Sequence, residues 1–141
     1  MKVYNAKGML IGRMASRIAK DALLGEEVRV INCDLAVVSG KKRVIQKEKT
    51  QRQDRRGYPG LANKRPRMPD RYVRRAIRGM LPWTTPRGKA AFARIMCYVG
   101  EPSDIDSSSA IILKDADKSK LPQGKYLTVA QIIKHLGGRE Y

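Results

Sequence analysis

Arg71, Arg74, Arg75 and Arg78 recur at intervals of three and four residues, the spacing that places side chains on one face of an α-helix. Their Cα atoms span about 10 Å along such a helix, at roughly 1.5 Å per residue. The one acid within a helical turn of them is Asp70. A solvated face usually alternates in sign, whereas four crowded guanidiniums repel one another. Guanidinium groups offer planar pairs of N–H donors that match phosphate oxygens. The stripe therefore points to contact with a nucleic-acid backbone.

The stripe belongs to a longer basic region. Residues 41–100 carry eighteen Lys or Arg against Glu48, Asp54 and Asp70, a net charge near +15 in a chain of +17. Such a load weakens a compact state unless a polyanion cancels it, and the sequence pI near 10.3 fits a nucleic-acid partner. Upstream of the stripe lie Lys41, Lys42, Arg43, Lys47 and Lys49, followed by Arg52, Arg55 and Arg56. A proline- and glycine-punctuated stretch adds Lys64, Arg65 and Arg67, and Arg87 and Lys89 follow the stripe. Arg13 and Arg17 lie opposite the apolar face of an N-terminal helical pattern. Tyr58 is a candidate for stacking on a base. Trp83 reads first as an anchor between two helices, with stacking as its alternative. No zinc finger, leucine zipper or clear helix-turn-helix is visible. Cations spread over a helix, a loop and a second helix suit folded RNA better than one recognition helix in a DNA groove.

Catalytic signatures mostly fail. Gly40-Lys41 follows a strand pattern, but Leu35 stands where a phosphate-cradling loop needs its first glycine, and Lys42 where it needs Ser or Thr. No G-x-S-x-G occurs. Cys33, Cys97 and the single His135 cannot supply a zinc set; the cysteines read as buried, reduced thiols, with a disulfide between them as the alternative, and His135 as a surface residue late in a helix. The thirteen acids are scattered. An RNA-modifying or nucleotide-using enzyme and a DNA-packaging protein are the alternatives, each lacking a supporting cluster.

The elements that position these residues follow from periodicity. Lys2 to Ala6 reads as a strand, and Ile11, Met14, Ala15, Ile18, Ala19, Ala22 and Leu23 as one helical face that Gly25 ends. Val28 to Cys33 is nearly continuously apolar, as in a parallel strand covered on both sides, so strand, helix and strand make a βαβ unit. Residues 36–39 predict a third strand, and Met96 to Val99 a fourth. Lys41 to Asp54 predicts a polar helix projecting from the body, since Val44 and Ile45 are its only large apolar residues. Residues 55–69 predict a loop. Asp70 is expected to cap the next helix, whose buried stripe is Tyr72, Val73, Ala76, Ile77 and Met80. Thr85-Pro86 predicts a helix start carrying Ala91, Phe92 and Ile95 inward. Thr128 and Gln131 predict a capping box before Ile132, Ile133 and Leu136, with Gly137 as the stop. Residues 101–141 are charge-neutral.

The string Arg74-Arg75-Ala76-Ile77-Arg78-Gly79-Met80-Leu81-Pro82-Trp83, with Thr85-Pro86-Arg87-Gly88-Lys89-Ala90-Ala91-Phe92 and Cys97-Tyr98-Val99-Gly100, closely resembles the signature of the large-subunit ribosomal protein L-thirteen family. Gly12-Arg13-Met14-Ala15-Ser16, Val30-Ile31-Asn32 and Val37-Val38-Ser39-Gly40 match it in order, and Arg55-Arg56-Gly57 and the Arg78-Gly79-Met80-Leu81-Pro82-Trp83 form resemble its archaeal and eukaryotic branch. The match covers roughly residues 1–100. It implies a three-layer α/β/α fold around a small, mainly parallel sheet of about four strands, with a basic helical and loop extension. It also implies a structural, RNA-bound role in the large ribosomal subunit, with no catalysis and no organic cofactor. The motif residues carried over are Arg74, Arg75, Arg78, Gly79, Pro82, Arg87 and Gly88. The expected partners are large-subunit ribosomal RNA and neighbouring ribosomal proteins, with no membrane and no small-molecule substrate. The chain reads as one domain over 1–141, with a basic projecting segment at 41–69 and a C-terminal extension at 101–141 ending in a helix, in a soluble, cytoplasmic protein.

Overall fold

Three short strands with apolar side chains begin the architecture: β1 (Lys2–Asn5), β2 (Val28–Ile31) and β4 (Ile95–Cys97). The computed structural model describes residues 1–55, 66–122 and 124–139. The strands lie in the order β1-β2-β4, all parallel, with Lys2 opposite Val28 and Val28 opposite Ile95. Val28, Val30 and Ile31 of the central strand are fully buried, as its run of β-branched residues requires. Arg29 is tolerated there because its Nη1 donates to the Tyr98 hydroxyl at 2.6 Å. The outer edge of β1 is covered at Ile111, which bridges Tyr4 in parallel and whose N–H donates to the Val3 carbonyl at 2.8 Å. That cover removes one exposed sheet edge.

Helix α1 (Ile11–Leu23) makes the crossover from β1 to β2. Ile11, Met14, Ala15, Ile18, Ala19 and Ala22 are buried on one face, the period of 3.6 expected of a helix on a sheet. Asp21 is buried among them and accepts a short hydrogen bond from the Tyr4 hydroxyl, while Lys2 Nζ stands 3.4 Å from its carboxylate. The expected α/β class with a small, mostly parallel sheet is thus present, together with α2 (Lys42–Asp54), α3 (Pro69–Arg78), α4 (Pro86–Ala93) and α5 (Val129–His135).

The third strand takes a different place from a simple extension of that sheet. β3 (Val37–Ser39) pairs antiparallel with β5 (Tyr126–Thr128), Val37 opposite Thr128. The cause is local. Asn32 adopts a left-handed φ of 55° and a single 3-10 turn follows at Cys33–Leu35, which swings the chain away from the parallel sheet. Asn is one of the few non-glycine residues that accept this conformation. Its side chain holds the bend, Nδ2 donating to Glu101 at 2.8 Å and to Asn5 at 3.2 Å. The β3–β5 pair creates a second apolar cluster of Ile45, Leu127, Ile132 and Leu136. Ile45 is the side chain that ties α2 into it, whereas Val44 is exposed. The expected capping box is present at α5: Thr128 Oγ1 accepts from the Gln131 N–H and Gln131 Oε1 from the Thr128 N–H, both at 3.3 Å. Gly137 follows with a φ of 77°, a turn that L side chains resist.

Candidate nucleic-acid interface

Helix α3 begins two residues earlier than a cap at Asp70 requires. Pro69 occupies the first helical position, where its fixed φ is favourable, so Met68 is the N-cap and Asp70 lies inside the first turn. One Asp70 oxygen is buried without a hydrogen-bond partner. Val73 and Ile77 are fully buried, but Tyr72 and Ala76 are only half-buried, and Met80 lies beyond the helix, exposed. The apolar stripe is therefore narrower than its sequence suggests.

The arginines of α3 divide. Arg71 is exposed; Arg74, Arg75 and Arg78 are half-buried. The Arg74 guanidinium lies 4.4 Å from the Phe92 ring centre and that of Arg78 lies 5.1 Å from the Trp83 ring centre. Trp83 and Phe92 meet edge to face at 5.0 Å. Two cations and two rings thus join α3 to α4, with cation–π attraction and stem packing both contributing. Trp83 is the anchor the sequence suggests, and 39% of it is still exposed. The turn between the helices is tight. Thr85 Oγ1 accepts from the Gly88 N–H at 3.2 Å, and a Cβ on Gly88 would sit 2.0 Å from the Pro82 carbonyl oxygen. Only glycine fits there, which gives the motif residues Pro82 and Gly88 a physical reason. Arg87 and Lys89 project from α4 into solvent.

Helix α2 is arranged differently. Lys41, Lys42, Arg43, Lys47, Arg52 and Arg55 are exposed. Arg52 pairs with Glu48 one turn away, and the half-buried Lys49 places its ammonium 5.6 Å from the Tyr72 ring centre. On α1, the exposed Arg13 donates through Nη1 to the Asp115 carbonyl at 2.8 Å, and the exposed Arg17 stands 4.0 Å from Asp21. Arg67 is exposed. Arg56, Tyr58, Lys64 and Arg65 lie outside the described residues.

Eight of these cations fall into three groups. Arg13, Lys49, Arg52 and Arg75 come together from α1, α2 and α3 around a cleft of about 530 Å³, floored by Leu10, Ile11, Val37 and Val38 and walled by Tyr72. Arg43, Lys47 and Arg55 line a shallow hollow between α2 and His135, whose Nε2 lies 3.0 Å from Thr50 Oγ1. Arg87 stands apart, beside Lys20, Leu24 and Met80. Ser39 and Tyr72 of the first cleft, and Lys20 of the last group, are not among the sequence candidates. Tyr72 carries a signal in retrospect, being an aromatic among arginines, but its place in the apolar spacing argues for the core.

The buried titratable groups are structural. Burial, then the hydrogen bond to Asp21, then that carboxylate's charge raise Tyr4 from 10.0 to about 12. Burial alone would raise Asp21, but the Tyr4 hydroxyl together with Lys2 and Arg17 outweighs it and lowers its pKa below the usual carboxylate range. Cys33 and Cys97 are free and buried, and the Cys33 thiol is pushed up by its hydrogen bond to Cys97 and by burial, which leaves it a poor nucleophile. Among the described residues no cluster of three His, Cys, Asp or Glu is placed to hold a metal, and no helix is long and apolar enough to cross a membrane.

Comparison with known proteins agrees with the motif. The sequence model of the family "Ribosomal protein L13" matches residues 1–104. The chain is similar to the large ribosomal subunit protein uL13 of Methanosarcina barkeri, 36% identical over 140 residues and covering 99% of both chains. It is 39% identical to the protein of that name from Methanocaldococcus jannaschii over 145 residues, again covering 99% of each. With that of Archaeoglobus fulgidus the identity is 35% over 138 residues, 97% of this chain and 88% of the other. These alignments extend through the C-terminal third, beyond the region where the motifs are specific.

Proposed function

The chain belongs to the ribosomal protein L13 family, and from that premise we propose that it is a structural constituent of the large ribosomal subunit, one that binds and stabilises folded large-subunit ribosomal RNA through its basic helices. The observation that carries this reading is the convergence of Arg13, Lys49, Arg52 and Arg75 from three helices in a chain whose residues 41–100 are near +15. Phosphate contacts position a protein on RNA, and basic groups on several elements grip a folded shape instead of one groove.

In this reading the whole chain works as one unit. The fixed α/β body presents α1, α3 and α4, and α2 extends the basic surface. Bridging RNA helices with these cations offsets the repulsion between their phosphates. Residues 101–141 lie toward neighbouring ribosomal proteins, a role that suits the exposed Ile111 and Ile112. The protein has no catalytic task and its place is the cytoplasmic ribosome. The test is co-sedimentation: the tagged chain should travel with large subunits through a salt-washed gradient and bind large-subunit ribosomal RNA more tightly than duplex DNA of equal length. Recovery at the top of the gradient, or equal affinity for DNA, would contradict it.

A further inference from the structure

The cleft between α1, α2 and α3 has two characters that one ligand must satisfy. Its lining carries Arg13, Lys49, Arg52 and Arg75, and no carboxylate is among its described lining residues, Glu48 pairing with Arg52 from outside it. Its floor is apolar, formed by Leu10, Ile11, Val37 and Val38. Phosphates explain the cations but not the apolar lining, because an ionised phosphate loses hydration on apolar surface and gains nothing in return. A nucleobase can cover that lining. The volume of about 530 Å³ falls in the range of small-molecule sites, roughly 300–1,000 Å³.

We infer that this cleft receives a single unpaired nucleotide of the bound RNA, its base on the apolar floor beside Tyr72 and its flanking phosphates on the four cations. The inference rests on the RNA-binding reading above and adds a specific site to it. Unstacked bases are the features that proteins read in RNA, by stacking and edge contacts, because the deep groove of an RNA duplex is closed to side chains. Lys49 fits this task. Its ammonium lies over the Tyr72 ring at 5.6 Å, a weak contact that it can exchange for a phosphate when a base arrives. Ser39, also on the lining, supplies a hydroxyl that can donate to or accept from a base edge.

Gly12 provides the test. It lines the cleft, and a Cβ built there meets nothing within 4 Å, so Gly12→Phe adds a ring at the edge of the cleft without a clash and keeps every cation. The full-length wild type and Gly12→Phe are each titrated with large-subunit ribosomal RNA across a salt series, then crosslinked by ultraviolet light and the adducts mapped. Wild type is expected to give a nucleotide adduct on Tyr72 or on residues 37–39. Gly12→Phe should lose that adduct and bind about tenfold more weakly, the scale of one lost stacked base, with an unchanged salt slope. Equal affinity and the same adducts in the two proteins would overturn the nucleotide site alone, leaving RNA binding in place. Failure of the wild type to bind RNA at all would overturn both readings. The wild-type map stands without the variant: if RNA binds and adducts form only outside the cleft, the inference fails. Saturation of the cleft by a free 5′-mononucleotide as strongly as by the RNA would also overturn it, since the polymer would then not be the ligand.

Discussion

Helices α2 and α3 are both rich in cations, yet the fold uses them in opposite ways. Helix α2 carries five Lys or Arg between residues 42 and 54, and its hold on the second apolar cluster is Ile45. Most of its cations are exposed and serve no packing. Helix α3 carries four arginines and is held by Val73 and Ile77 beneath it and by Arg74 on Phe92 and Arg78 on Trp83 beside it. Equal charge therefore has unequal structural standing. On α2 a cation is available to a partner at little cost to the fold, whereas on α3 the same charge is fixed by aromatic packing. The fixed set gives a partner a preorganised surface; the exposed set gives reach and adaptability.

Substitutions sharpen this contrast. The largest effect is expected in the core under α3. Ile77→Ala should cost about 2–5 kcal/mol of stability, measured by urea unfolding, while the exposed Val44→Ala on α2 should stay within about 0.5 kcal/mol. Comparable losses would mean that α2 is built into the core as deeply as α3. Next in size, Arg74→Ala should lower stability by about 1–2 kcal/mol through its lost ring contact and also weaken RNA binding. An unchanged unfolding midpoint would show that the Phe92 contact contributes nothing.

The body beneath both helices makes a pH prediction. Asp21 has a lowered pKa in the fold, so its contribution to stability is present above its unfolded value and is lost as pH falls through the folded one. Tyr4 acts at the other end, favouring the fold below 10.0 and ceasing to as pH rises through about 12. Acid titration of unfolding should show the wild type losing stability below the ordinary carboxylate range, and Asp21→Asn should flatten that limb. A parallel decline in both proteins would remove Asp21 from the account. The smallest effect belongs to α2: Lys47→Ala should leave unfolding unchanged and reduce the salt slope of RNA binding by about 1. A change in stability there would break the contrast.

Much of this was legible in the sequence because it is local. The α1 face, the Thr85 and Thr128 caps and the parallel β1–β2 unit all follow from spacing within a few residues. What escaped depended on distant partners. The pairing of β3 with β5 joins residues about ninety apart, and the left-handed bend at Asn32 shortly before β3 is its local sign. The arginine stripe was visible as charge, but its packing on Phe92 and Trp83 was not, because helical spacing gives a face and not its neighbour. The cleft between α1, α2 and α3 was hidden for the same reason: Arg13, Lys49 and Arg75 come from three helices, and Tyr72 sat in an apolar spacing that argued for burial.

The central claim is that the positive charge of α1 to α4 is cancelled by phosphates of folded ribosomal RNA. Its most direct test is the affinity of the full chain for large-subunit ribosomal RNA as a function of salt. With roughly 6–10 phosphates neutralised, binding should weaken by about 10³–10⁵ between 50 and 200 mM salt. An affinity that does not change over that range would contradict it.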